Sequence, residues 1–130
     1  MNGLFSMQGR LNRAKYFWRT LVIGVSTNIV TFLVGFLLGG IMGEHAEPTA
    51  LLVGYLLALA GAVVIAFEAV KRLHDLDRPG AHYWLLLIPV YNIYLALVLL
   101  FKRGTSGPNR YGDDPLTVPL GDMAVARPAA

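Results

Sequence analysis

Three long apolar stretches, separated by short polar segments, dominate the chain. They cover residues 20–43, 48–67 and 83–101, and none of them contains a charged residue. A helix needs about 20 apolar residues to cross a hydrocarbon core of about 30 Å. The Leu, Ile, Val and Phe side chains favour insertion by more than the few polar residues oppose it. The pattern therefore predicts an all-α integral membrane protein with three transmembrane helices, at about 20–43, 48–70 and 83–101.

Pro89 interrupts the third stretch and leaves two architectures open. A kinked helix would cross the membrane once, whereas a turn at residues 89–92 would make the segment re-entrant. Each half of the stretch is too short to span alone, and such a turn would need burial within protein to satisfy its backbone. The kinked single span is the simpler expectation.

The other segments complete one membrane domain over residues 1–115. Residues 9–19 are predicted to form a short interfacial segment before the first helix. Residues 116–130 show no periodicity, which is typical of a flexible tail. The first apolar stretch is longer than the core of a signal peptide, about 7–15 residues, so we expect it to be retained as a helix.

Composition supports a membrane location. Hydrophobic residues make up 55% of the chain and charged residues 15%, against about 25% charged residues in soluble domains. So little polar surface would not keep a soluble globule dispersed. The chain has no cysteine, which excludes disulfides, thiolate nucleophiles and cysteine-ligated metals.

The basic residues indicate which side of the membrane each segment faces. They precede the first helix or follow the second, and the loop at 44–48 has none. The positive-inside rule then predicts a multi-pass membrane protein with a cytoplasmic N-terminus; we expect the membrane to be a bacterial inner (plasma) membrane. We expect these cations to meet the lipid bilayer and its anionic headgroups rather than nucleic acid; they include Arg10, Arg13, Lys71, Arg72 and Arg78.

Small residues recur every four positions in both of the first two helices. Such rows let helix backbones approach closely in a membrane. They are predicted to pack the first helix against the second, with a homo-oligomer interface as the alternative; the rows are Gly35, Gly39 and Gly43, and Gly54, Ala58, Ala62 and Ala66.

Three polar side chains interrupt the apolar stretches: Asn28, Glu68 and Asn92. Polar groups at depth are costly unless they are paired. The two asparagines are expected to hydrogen-bond across helices. Glu68 has Lys71 and Arg72 three and four residues later, the spacing of ion pairs on one helix face. We therefore expect an ion pair at the membrane interface.

The loop after the second helix carries the pair that comes nearest to an active site, His74 and Asp75. A histidine beside carboxylates can act as a base or bind a metal. However, no further ligands follow at a recognised spacing, and no nucleophile motif is present. The sequence therefore predicts no catalytic residue, no metal site and no cofactor. A membrane enzyme that uses this pair is the least favoured hypothesis.

Three motifs together resemble a known family. They are Gly9-Arg10-x-x-Arg13-x-x-Tyr16, Arg72-Leu73-His74-Asp75, and the segment from Gly104 to Pro115 with its core Gly107-Pro108-Asn109-Arg110-Tyr111-Gly112. In this order they resemble the small bacterial inner-membrane proteins of the YhaH type, a family with a domain of unknown function. The resemblance implies a membrane location and no established activity, substrate or cofactor.

The charged motifs define a candidate functional cluster: Arg10, Arg13, Arg72, His74, Asp75, Asn109 and Arg110. Its members can meet only if the C-terminal motif lies on the cytoplasmic side. The leading hypothesis is a non-enzymatic membrane component that binds a partner protein or anionic lipid, possible partners including a second copy of the chain. The alternative is a subunit of an oligomeric transporter or channel.

Overall fold

The computed structural model describes residues 5–117, and within that range it is helical. Helix α1 covers Arg13–Met42 and helix α2 covers Ala46–Asp75, with the 3₁₀ turn Gly43–His45 between them. A 3₁₀ helix, Gly80–Leu87, and helix α3, Pro89–Phe101, follow. The predicted tail lies mostly outside the described residues, which reach only to position 117.

Helix α1 begins earlier than the apolar pattern predicts. The side chain of Asn12 accepts a hydrogen bond from the backbone N–H of Lys15, which satisfies one of the unpaired donors at the helix start. The helix therefore includes most of the segment that was predicted to be interfacial. Helix α2 likewise continues past residue 70 to Asp75, so His74 and Asp75 occupy its last turn rather than a loop.

The first two helices form an antiparallel pair. Each has 30 residues, a length of about 45 Å. Two Thr–Gly contacts hold them together at mid-length. A Cβ added to Gly61 would lie 2.7 Å from Thr27 Oγ1, and one added to Gly54 would lie 3.5 Å from Thr31 Cγ2. The continuous helical stretch Arg13–Asp75 is long and apolar enough to cross a membrane.

The glycine row of α1 does not form this contact. A Cβ added to Gly35, Gly39 or Gly43 would meet no atom within 4 Å. Within the described residues, this row therefore does not make the close contact with α2 that was predicted for it. On α2, Gly54 does face α1, whereas Ala58 and Ala62 are exposed and Ala66 is half-buried.

The third apolar stretch divides into two pieces at Ile88. Ile88 has an extended backbone, and Pro89 opens α3, where its missing N–H has no cost. A Cβ added to Gly80 would lie 2.9 Å from Val70, and the carbonyl of Leu99 accepts a hydrogen bond from Arg72 Nε at 2.8 Å. Both ends of the segment Gly80–Phe101 therefore lie against the last turns of α2.

A small core ties the returning segment to the ends of α1 and α2. Its buried members come from the start of α1 and the segment just before it, the end of α2 and the residue just after it, and the middle and end of α3: Leu11, Tyr16, Ala69, Leu73, Leu76, Leu95 and Leu99. Between positions 17 and 67, every residue of the helix pair except Ala46 is exposed or half-buried. The three charged motifs are consequently gathered at one end of the molecule.

Candidate functional site

Asp75 is the centre of a buried ion-pair cluster. Its Oδ1 lies 3.0 Å from Arg10 Nη2, and its Oδ2 accepts a hydrogen bond from Arg72. All three side chains are almost fully buried. One carboxylate between two guanidinium groups leaves this buried cluster with a net positive charge, which backbone carbonyls must offset.

Most of the carbonyl groups that accept hydrogen bonds from the two arginines lie at the end of α3 and in the segment after it. Arg72 donates to the carbonyls of Leu99 and Lys102. Arg10 donates to the carbonyls of Thr105 and Gly107, the latter at 2.6 Å. Charge-assisted bonds of this kind are stronger than neutral ones. The N-terminal segment, α2 and the segment after α3 are therefore joined by the same two side chains.

The last turn of α2 is also bound directly by the C-terminal motif. Thr105 donates to the carbonyl of Asp75 through its backbone N–H at 2.8 Å and its hydroxyl at 3.0 Å. Asn109 Nδ2 donates to the carbonyl of His74 at 2.9 Å. These bonds satisfy carbonyls that have no partner within the helix.

His74 stacks face to face on Tyr111, with ring centroids 3.9 Å apart and an interplanar angle of 4°. Within the described residues its Nδ1 is buried without a hydrogen-bond partner. The stacking ties the C-terminal motif to α2 but brings no nucleophile to the imidazole. We assign His74 a packing role.

A second ion-pair cluster lies one to two helical turns before Asp75 along α2. Glu68 is fully buried, and its two oxygens contact Lys71 Nζ at 2.5 Å and Arg19 Nη1 at 3.1 Å. The pair with Lys71 agrees with the expected spacing on one helix face. Arg72, the other cation at a suitable spacing, pairs with Asp75, and Arg19 from α1 provides the second contact of Glu68.

The rim of the site is held by exposed pairs. Arg110 Nε lies 3.1 Å from Asp77 Oδ1. Asp114 accepts hydrogen bonds from the backbone N–H groups of Leu116 and Gly107, which hold its pKa below the ordinary value. The C-terminal motif is thus folded on itself as well as bound to α2.

An open cleft of about 350 Å³ lies beside the buried cluster. Two exposed arginines, Arg13 and Arg103, line it, together with Asn12, Ala14, Asp75, Gly104 and Leu116. Arg13 contacts the carbonyl of Phe101 at 3.4 Å. Between residues 5 and 117, neither arginine forms an ion pair within 4.0 Å.

The structure brings together most of the cluster proposed from sequence. Some of its members are buried and are not accessible at the surface. Arg10, Arg72 and Asp75 meet in the interior, Asn109 binds beside them, and Arg110 lies at the rim. Arg10, Lys71 and Arg72 were expected to face lipid headgroups, but all three are buried in ion pairs. The candidate cluster left out five residues of the site. Thr105 and Tyr111 belong to the C-terminal motif and Asn12 is a helix cap, whereas no local signal marks Arg19 or Arg103.

Within residues 5–117, neither Asn28 nor Asn92 forms a side-chain hydrogen bond to another helix, contrary to the expectation from the sequence. Asn28 Nδ2 donates to the carbonyl of Gly24 in its own helix at 2.8 Å. Asn28 and Asn92 are both exposed. In the described part of the chain, no three His, Asp or Glu side chains lie close enough to hold a metal ion.

Residues 4–113 match the family model described as "Protein of unknown function (DUF805)". Inner membrane protein YhaI of Escherichia coli (strain K12) is 36% identical over 110 residues, which cover 82% of this chain and 83% of YhaI. Inner membrane protein YhaH of the same strain is 33% identical over 115 residues, covering 86% of this chain and 88% of YhaH. No solved structure shows a significant match. The matched range includes every residue of the buried ion-pair clusters.

Proposed function

Because this chain belongs to the DUF805 family, whose relatives YhaI and YhaH are inner-membrane proteins, we propose that it is a multi-pass inner-membrane protein that binds an anionic lipid. The lipid phosphate binds in the cleft between Arg13 and Arg103. The protein acts there as a non-enzymatic lipid-binding component of the membrane.

The proposed topology has two full spans and one re-entrant segment. Helices α1 and α2 cross the bilayer, with the N-terminus in the cytoplasm. The 3₁₀ helix Gly80–Leu87 is about 16 Å long and α3 about 20 Å, so neither crosses alone. The positions of both ends of this segment against α2 support its return to the cytoplasmic side. Every Lys and Arg of residues 5–117 then lies on that side, as the positive-inside rule requires.

The single observation that supports lipid binding is that two arginines are buried in ion pairs, whereas two others are exposed and line the cleft. Arg10 and Arg72 are buried and bound to Asp75 and to carbonyls, so their charge serves the fold. Arg13 and Arg103 project into an open cleft and form no ion pair within the described residues. Two such guanidinium groups can bind the oxygens of one phosphate through charge-assisted hydrogen bonds.

The position of the cleft favours a lipid phosphate over a free one. Trp18 and Trp84 are 62% and 68% exposed, and exposed tryptophans concentrate at the boundary between headgroups and hydrocarbon. Arg13 precedes Trp18 by little more than one helical turn. This spacing supports a cleft at the level of the lipid headgroups.

The two alternative functions receive less support from the contacts. A transport path would use Asn28 and Asn92, but both face outwards from the chain. An enzyme would use His74 and Asp75, but the first is stacked on Tyr111 and the second is bound by two arginines.

Lipid retention by the purified protein tests the proposal. We expect wild-type protein to retain phosphatidylglycerol in native mass spectrometry and to retain little phosphatidylcholine. Each cation near an anionic surface contributes about 1 kcal/mol, so Arg13→Gln with Arg103→Gln should weaken phosphatidylglycerol binding by about thirtyfold. Excess inorganic phosphate should not displace the lipid, whereas displacement would indicate a site for soluble phosphate.

The matched control removes two exposed cations that do not line the cleft, Lys15→Gln with Arg110→Gln. It should change lipid binding much less than the double variant of the cleft. Equal retention of phosphatidylglycerol by both double variants would show that the cleft has no special role and would overturn the proposal.

A further inference from the structure

Asn28 presents an incompletely satisfied carboxamide at the middle of α1. It lies 15 residues after the first residue of a 30-residue helix, about 22 Å from that end. One N–H donates to the carbonyl of Gly24. In the described residues, the Oδ1 atom accepts no hydrogen bond, and the side chain is exposed on the outer surface of the helix pair.

This exposure is costly in the proposed topology, because the hydrocarbon core supplies neither donors nor acceptors. Lipid tails cannot satisfy Oδ1 or the second N–H of the amide. Ser26 and Thr20 avoid the same cost, since their hydroxyls donate to carbonyls of α1 one turn earlier. Within the described residues, Oδ1 of Asn28 thus has no partner, and a group from outside the chain would satisfy it.

We propose that Asn28 marks a homodimer interface, in which α1 of one copy packs against α1 of a second copy. Two copies that insert with the same orientation place Asn28 at the same depth. A carboxamide carries both a donor and an acceptor, so two Asn28 side chains related by a twofold axis satisfy each other. Asn28 of a second copy would therefore supply both the donor and the acceptor that the Asn28 carboxamide lacks.

The backbone of α1 permits the close approach that such a pair needs. At about 100° per residue, Gly24, Gly35 and Gly39 lie within about 60° of one another, on the same face as Asn28. A Cβ added to any of these glycines would meet nothing within 4 Å, so no atom of α2 fills the space beside them. The glycines alone define no site, but they leave space around the carboxamide. Helices with small residues on one face pack closely in membranes.

Cysteine crosslinking of the full chain in vesicles locates the interface, since the natural sequence has no cysteine. We expect Gly35→Cys to form a disulfide-linked dimer on oxidation. The control is Ser26→Cys, which is exposed but lies about 160° around α1 from Asn28; it should remain monomeric. Crosslinking at position 26 as strong as at position 35, or a crosslink from position 35 to another protein only, would overturn the proposal.

The role of the carboxamide is tested by measuring self-association with fluorescence energy transfer in vesicles. Interhelical hydrogen bonds in membranes contribute enough that Asn28→Leu should raise the dimer dissociation constant by about threefold to thirtyfold. Ser26→Leu should leave it unchanged. Asn28→Leu removes only a bond to its own helix, so the variant should fold, and an unchanged melting temperature checks this. An unchanged dissociation constant, or a strictly monomeric wild-type protein, would contradict the proposed interface.

Discussion

Arg10 and Asp75 form a buried ion pair, with Nη2 and Oδ1 3.0 Å apart, although 65 residues separate them in sequence. The same carboxylate binds Arg72, and the same two arginines bind carbonyls of the segment after α3. The pair therefore connects three parts of the chain that the apolar pattern alone would leave separate. Asp75 also lines the cleft to which Arg13 and Arg103 contribute.

Asp75→Asn should strongly destabilise the protein. The substitution keeps the shape of the side chain but leaves Arg10 and Arg72 buried without a counter-charge. Breaking a buried pair in this way costs about 3–5 kcal/mol. Thermal or denaturant unfolding in detergent measures the change. Asp77→Asn, which breaks only the exposed pair with Arg110, should cost about 1 kcal/mol or less. Similar losses in both variants would contradict the central role of Asp75.

Gly61→Ala should loosen the contact between α1 and α2. The new Cβ would lie 2.7 Å from Thr27 Oγ1, and overpacking of this kind costs about 1–3 kcal/mol. Gly40→Ala, at a position where the Cβ meets nothing within 4 Å, is the control and should be neutral or slightly stabilising. The double variant Thr27→Ala with Gly61→Ala should recover most of the loss in unfolding free energy. Failure of this rescue would show that the Thr27–Gly61 contact is not the cause.

Asp114 should make the order of the C-terminal motif depend on pH. Its pKa lies below the ordinary value of 3.8 because the N–H groups of Leu116 and Gly107 bind the carboxylate. A carboxyl group with a depressed folded-state pKa stabilises the fold above its unfolded pKa, and this contribution is lost as the pH falls through the folded pKa. NMR titration should therefore show protonation below pH 3.8, together with release of the Gly107 N–H. Asp114→Asn should abolish that coupled change; if Gly107 titrates identically in the variant, the assignment is wrong.

The helical membrane character of the chain could be predicted because it depends on local properties. Long uncharged apolar runs specify α1 and α2 through composition alone, and the resemblance to the YhaH-type proteins is confirmed by the family match and by the relatives YhaI and YhaH. Helix ends were less predictable. Asn12 can cap a helix in water or at an interface, so α1 extends beyond the apolar run.

The arrangement of the charged residues could not be predicted in the same way. Arg72 has two acids on its own helix at favourable spacings, Glu68 and Asp75, and only the position of Arg10 and Arg19 on other segments decides between them. The neighbour of the glycine row on α1 could not be predicted from local sequence either. Periodicity places Gly35 and Gly39 on one face, but it does not say which neighbour, α2 or a second copy, that face meets.

The side of the membrane on which Ser106 lies tests the central claim most directly. Ser106 is exposed within the C-terminal motif, and Ser106→Cys introduces the single thiol of the protein. In bacterial cells a membrane-impermeant maleimide should label it only after lysis, because the proposed topology places the C-terminal motif in the cytoplasm. Glu44→Cys, in the exposed turn between α1 and α2, should be labelled in intact cells. Labelling of Ser106→Cys in intact cells would contradict the account, since Arg10, Asp75 and the C-terminal motif could then not form one site.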